Sequence, residues 1–212
     1  MSVFPNNDLT FPSIEMNSLI LDLQSIELTD EQFYQLCINN HDLRIEKNAN
    51  GDLVIMPPTG GETGNKNAGI IAQLWMWNNR ANLGKVFDSS TGFILPNGAN
   101  RSPDASWIPI AKWNALTDEQ KQKFLPLCPD FAIELLSHPP FIPPTRGDRG
   151  RLQAKMQEYL DNGMVLGWLI NPMQQQVAIY RQGNQVEVLN APNSLSGESV
   201  LSGFVLDLQP IW

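Results

Sequence analysis

Cysteine is nearly absent from the 212-residue chain, with Cys37 and Cys128 alone, neither in a CxxC pair nor beside a histidine at metal-ligand spacing. That excludes a disulfide scaffold and a structural zinc site, and two buried thiols are expected. Charge is scarce as well: Asp, Glu, Lys and Arg make up 17% of the residues, where about 25% is usual. Long apolar runs are missing too. The longest, residues 131–136 and 165–170, fall far short of the roughly 20 residues a membrane-spanning helix needs. The first residues, MSVFPNNDLTFPS, lack a basic and apolar leader. A soluble cytoplasmic protein with no membrane partner is expected.

Apolar residues make up 42% of the chain, enough for one domain with a real core, while 15 glycines and 16 prolines favour many short elements over long helices. The formal charge of −8 is uneven: residues 1–62 hold ten acidic and two basic side chains, and residues 63–212 hold twelve of each. The one local basic patch is Arg146, Arg149, Arg151 and Lys155, set against the single Asp148.

Residues 1–28, with prolines at 5 and 12, read as an extended arm packing on a single domain of residues 29–212. Thr29 and Gln32 form a capping box that opens a short helix to about His41. Segments 43–47 and 53–56 flank Asn50-Gly51, a hairpin signal. Ile70, Ile71, Leu74, Trp75 and Trp77 recur at helical spacing until Asn82 and Gly84. Strands are expected at 86–87, 92–95 and 104–108, with a polar turn over 96–102. Thr117 to Gln120 is a second capping box, leading toward Phe124. Residues 131–136 form an apolar run broken by one carboxylate, and the proline-rich 138–145 segment reads as a loop. Leu152, Met156 and Tyr159 mark a helix ending at Asn162-Gly163. Strands at 165–170, 177–180, 186–189 and 200–205 follow. The sum is a mixed sheet with a few helices.

Glu134 is the most informative residue, because a carboxylate inside a core strand costs several kcal/mol unless a cation or donors compensate it. Asp104 opens another strand directly after Pro103. Two carboxylates on neighbouring strands make a hard-oxygen pocket suited to Mg²⁺, and phosphodiester hydrolysis is the matching chemistry. Lys155 borders the apolar face of its helix and can reach inward over the sheet. Plainer readings stand beside these. Asp104 also fits a Pro-Asp turn, Glu134 a buried ion pair with an arginine such as Arg101 or Arg151, and Lys155 a snorkelling lysine.

The ordered set Pro103-Asp104, Glu134 in a strand ending at Ser137, Lys155 with Tyr159, then Gly163 and Trp168-Leu169-Ile170-Asn171-Pro172 resembles the Uma family of restriction endonuclease-like proteins. These belong to the PD-(D/E)XK nuclease superfamily. The resemblance covers about residues 25–190 and includes the hairpin of residues 44–56 and the 57–61 turn. It implies the α+β restriction endonuclease-like fold, a mixed β-sheet core flanked by helices with extra N-terminal and C-terminal strands, and a Mg²⁺ or Mn²⁺ ion held by Asp104, Glu134 and the main-chain carbonyl of Leu135. DNA phosphodiester hydrolysis is the implied activity. The superfamily's strand lysine is absent, since Leu136 stands in its place, and Lys155 matches the family's helix lysine. Asn67 falls where the family commonly has a histidine, and Glu62 is carried as a helix-side metal contributor. Arg146, Arg149 and Arg151 are candidate contacts to flanking phosphates. His138 has no assigned role, and His41 reads as structural. The apolar C-terminal strands suggest a two-fold homodimer. The missing strand lysine keeps open an adaptor that retains the fold without catalysis, and a third reading is an unrelated β-rich domain with a salt-bridged Glu134.

Overall fold

The computed structural model describes residues 18–23, 25–137 and 146–212, with the side chains of 146–149 left out. A short strand β1 (Leu19–Leu21) precedes helix α1 (Asp30–Asn39). Thr29 closes a capping box on α1, its Oγ1 accepting from the Gln32 N–H at 3.2 Å and its own N–H donating to the Gln32 side chain at 2.9 Å. Strands β2 (Arg44–Lys47) and β3 (Leu53–Met56) form the hairpin around Asn50-Gly51, where Gly51 takes φ +92°. Helix α2 (Gly61–Ala81) ends in Asn82 at φ 50°. It begins nine residues before the apolar spacing that announces it, because its first half, GETGNKNAG, is polar.

Next come β4 (Gly84–Asp88), β5 (Phe93–Ile94), β6 (Asn100–Arg101), β7 (Ala105–Pro109), α3 (Ile110–Ala115) and α4 (Asp118–Gln122). The expected polar turn over 96–102 thus contains a strand, β6, and α3 carries no sequence signal long enough to announce it. Strand β8 (Phe131–Leu135) leads to α5 (Arg146–Asp161), then β9 (Leu166–Asn171), β10 (Gln176–Arg181) and β11 (Glu187–Asn190). The chain closes with β12 (Ser194–Ser196) and β13 (Val205–Asp207).

Of the strand expected at 200–205, residues 200–203 form a turn instead, and the strand begins at Val205. Leu201 N–H bonds to Gly197 O, and Gly203 takes φ +77°, so Leu201 and Phe204 reach the core from a loop.

Six strands form the central sheet in the order β11-β10-β9-β8-β7-β4, and β1-β3-β2-β6-β5 form a second sheet. Every pair in the central sheet is antiparallel except β8 with β9. A parallel pair needs a crossover, and α5 supplies it. Period-two alternation then assigns faces. Phe131, Ile133 and Leu135 of β8 pack with Ile70 and Leu74 of α2 and with Phe204 and Leu206. Ala132 packs on the opposite face with Met156 and Tyr159 of α5. Glu134 shares Ala132's parity and therefore faces α5.

Residues after 190 fold back over the α2 side, placing Leu195, Leu206, Leu208 and Ile211 in the core. Among the described residues no helix is long and apolar enough to cross a membrane. Cys128 is buried as expected, whereas Cys37 is only half-buried.

Two glycines pack tightly with different tolerance. A Cβ at Gly84 would strike the Ile108 carbonyl and the Trp107 ring, which β4–β7 pairing holds in place. At Gly167 it would meet the ends of Met156 and Met164, which can move. Gly84→Ala is expected to cost about 3 kcal/mol of unfolding free energy and Gly167→Ala clearly less, measured by urea denaturation.

Candidate active site

Asp104 stands one residue before β7, after a proline with no N–H to commit to the sheet. The β7–β8 register pairs Ala105 with Ile133, so one further step sets Asp104 opposite Glu134. Asp104 Oδ2 accepts the Leu135 N–H at 2.8 Å. The carboxylate thereby caps the end of β8, leaving Oδ1 free of main-chain bonds.

Glu134 is 3% exposed. Its Oε1 receives the Lys155 ammonium at 2.8 Å and the Tyr159 hydroxyl at 3.1 Å. Leu152, Lys155, Met156 and Tyr159 share one face of α5 through their three- and four-residue spacing, so the residues that anchor the helix to the sheet also carry Lys155 inward.

The same ammonium bonds Glu46 Oε1 at 2.8 Å. Glu46 lies in β2 and is buried, with Ser102 N–H donating to Oε1 at 3.0 Å and Arg101 Nη1 to Oε2 at 3.2 Å. Arg101 Nε donates in turn to Glu158 Oε2 at 2.6 Å. Arg44, also in β2, donates from Nη2 to Ser102 O at 3.0 Å and lies 3.4 Å from Asp104 Oδ1.

The charges are shared unequally. Burial raises the Glu46 carboxyl, but Lys155, Arg101 and the Ser102 N–H outweigh it, and the group is held below the ordinary carboxylate value. Glu134 has no such surplus. Burial, with Asp104 and Glu46 adding to it, outweighs Lys155 and pushes Glu134 up to about 7. For Lys155 burial favours the neutral amine, yet Glu134 and Glu46 together outweigh it and the pKa is raised. Lys155 is therefore a fixed ammonium. Tyr159 is raised well above its ordinary value, by burial first and then by Glu134 and Glu46, and stays a phenol donor.

Of the residues singled out in the sequence, Asp104, Glu134, Leu135 and Lys155 come together here. The ion-pair partner of Glu134 is Lys155, in place of the Arg101 or Arg151 considered from sequence. Glu62, in the first turn of α2, is exposed and pairs with Lys66 at 2.9 Å. Arg151 Nη1 donates to Ser18 Oγ at 2.9 Å. The side chains of Arg146 and Arg149, and His138 altogether, lie outside the described residues. His41 is exposed beside Asp42, and Asn67 Oδ1 is buried without a hydrogen-bond partner. Among the described residues no group of three or more His, Cys, Asp and Glu is arranged to hold a metal ion.

Glu46 and Arg44 escaped the sequence reading. The strand Arg44-Ile45-Glu46-Lys47 alternates as a solvent-washed hairpin strand does, and nothing local marks Glu46 as interior.

Residues 30–209 match the family Uma2, described as "Putative restriction endonuclease". The chain belongs to this family. A solved structure described as "a putative nuclease belonging to DUF820", from Anabaena variabilis ATCC 29413, superimposes with a TM-score of 0.65 at 18% identity. The match covers 82% of this chain and 91% of that one. The fold is the restriction endonuclease-like fold, as its mixed sheet and flanking helices lead one to expect. No curated protein matches the chain.

The raised Glu134 value has a definite sign in stability. Between its ordinary value of 4.5 and about 7 the native state holds a proton that the unfolded chain has lost. This contribution is complete below 4.5 and is lost as pH rises through about 7. In urea titrations with EDTA, the unfolding free energy of the parent relative to Glu134→Gln should fall from pH 5 to pH 8, by up to about 3 kcal/mol. A rising difference would contradict the assignment.

Proposed function

We propose that this chain is a DNA endonuclease that hydrolyses phosphodiester bonds with Mg²⁺ or Mn²⁺. Asp104, Glu134 and the main-chain carbonyl of Leu135 would hold the ion. The observation that carries the reading is the Lys155 ammonium at 2.8 Å from Glu134, supplied by a helix to a strand that is followed directly by Leu136, where a lysine stands in related nucleases.

The donor set fits the ion. Asp104 Oδ2 and Glu134 Oε1 are engaged by Leu135, Lys155 and Tyr159, so Glu134 retains a second oxygen and Asp104 Oδ1 carries only the long 3.4 Å contact from Arg44. Two hard oxygens with a carbonyl and water suit Mg²⁺, which keeps several waters and is commonly bound by one or two carboxylates. A bound ion would neutralise charge on the scissile phosphate and make water a stronger acid.

The remaining work falls to the chain. Lys155, held charged between two glutamates, offers its ammonium to charge developing on the phosphoryl oxygens. Glu46, with Arg101 and the Ser102 N–H behind it, keeps Lys155 in place. Tyr159 orients Glu134, and the Leu135 N–H orients Asp104. Arg151 lies one helical turn before Lys155 and, with Arg146 and Arg149, is proposed to touch flanking phosphates.

A cytoplasmic two-fold homodimer completes the proposal, since two related sites suit the two strands of a duplex. Most of the C-terminal apolar residues that prompted it are buried in the core, while Val165, Val186, Val188 and Val205 stay exposed. Its support is now the exposed edge of the central sheet, with Val186 and Val188 in or beside β11. Light scattering that gives only a monomer at micromolar concentration would exclude it.

Cleavage of DNA should require Mg²⁺ or Mn²⁺ and fall steeply with salt. Asp104→Ala, Glu134→Ala and Lys155→Ala should each lower it by about 100-fold or more while circular dichroism stays that of the parent. Robust cleavage by Glu134→Ala would sink the site. Failure of the metal-loaded parent on duplex, single-stranded and branched DNA would favour an adaptor role.

A further inference from the structure

Three cations stand among the carboxylates of the site, and two of them each bridge a pair of carboxylates. Lys155 is shared by Glu46 and Glu134, and Arg101 by Glu46 and Glu158. Arg44 differs. One nitrogen, Nη2, makes both of its contacts, and the one to Asp104 Oδ1 is long at 3.4 Å. Its Nε is buried with no hydrogen-bond partner. Its side chain is 29% exposed, against 13% for Arg101 and 9% for Lys155. A guanidinium has five N–H donors, and leaving a buried one unanswered is costly.

The atom Arg44 faces is also significant. Asp104 Oδ2 is fixed by the Leu135 N–H, so Oδ1 is the oxygen left for a cation, and Arg44 stands beside it. Guanidinium and divalent ion therefore compete for one atom. The second anchor of Arg44, the Ser102 carbonyl, does not depend on Asp104 and would retain the side chain after displacement.

We propose that Arg44 is a substrate-binding residue that rests against Asp104 Oδ1 in the free protein and turns its guanidinium to a substrate phosphodiester when a divalent cation takes that oxygen. The ligand class follows from shape and charge: a planar fork of N–H donors matches two phosphate oxygens, which an ammonium cannot do. The proposal rests on the metal-dependent reading above and adds the group that receives the phosphate.

The test compares the parent, Arg44→Gln, Arg44→Lys and Asp104→Asn. Mn²⁺ affinity is measured by calorimetry without substrate. kcat and KM are measured with bis(4-nitrophenyl) phosphate, a diester that carries no base sequence. Arg44→Gln should bind Mn²⁺ severalfold more tightly, because the competing cation is gone. Its KM should rise about tenfold or more, with kcat changing less. Arg44→Lys, which keeps the charge without the fork, should restore Mn²⁺ affinity toward that of the parent but leave KM high. Should Arg44→Gln fail to fold, a parental KM in Arg44→Lys overturns the proposal and a raised one supports it. Weaker Mn²⁺ binding by Arg44→Gln, or an unchanged KM, overturns it while Asp104→Asn still abolishes Mn²⁺ binding. A parent that binds Mn²⁺ no better than Asp104→Asn overturns the metal reading and this proposal together.

Discussion

One buried ammonium ties the molecule together. Lys155 Nζ lies 2.8 Å from a carboxylate of the second sheet, Glu46, and 2.8 Å from one of the central sheet, Glu134. Helix, hairpin and core strand thus meet at one atom. A buried ion pair is weak evidence for net stability, because desolvation offsets much of its attraction, but removing one partner strands the others in a medium of low polarity. Geometry is what the contact supplies. It sets where α5 and the β2–β3 hairpin stand relative to the ends of β7 and β8, and the remaining polar groups arrange themselves around that fixed charge.

The surrounding charges do not cancel. Lys155, Arg101 and Arg44 face Glu46, Glu134, Asp104 and Glu158, one negative charge in excess. Glu46 is the best served of the four, with two cations and a main-chain N–H. The deficit falls on Glu134, buried beside two other carboxylates and raised to about 7. At neutral pH this group is divided between its acid and its anion. A proton or a cation can complete the balance, which is the electrostatic condition for a site that takes up a positive ion reversibly.

Much of this was legible before any coordinates. Asp104, Glu134 and Lys155 stood out because each breaks a pattern: an acid directly after a proline, a charge inside an apolar run, a lysine on the border of a helix's apolar face. The hairpin around Asn50-Gly51 and the capping boxes at Thr29 and Thr117 were legible for the same local reason. Glu46 and Arg44 break nothing, because charged residues alternating along a hairpin strand describe an ordinary exposed face. Arg101, which with Arg151 was one of two arginines weighed as an alternative partner for Glu134, instead serves Glu46 and Glu158. Residues 200–205 looked like a strand because of their apolar side chains, yet Leu201 and Phe204 reach the core from a turn and the strand begins only at Val205.

The sequence by itself determined the elements whose causes lie within a few residues: the caps, the Asn-Gly turn, the apolar face of α5, and the presence of an acid in a core strand that needs a cation. Only the tertiary structure decided which cation that acid receives and with whom it is shared. Glu46 and Lys155 are 109 positions apart, and their contact exists because a parallel β8–β9 pair forces α5 across the sheet while the second sheet docks against the helix. No local spacing encodes such a meeting, since partner choice among buried charges depends on the whole set of elements that exclude water from them.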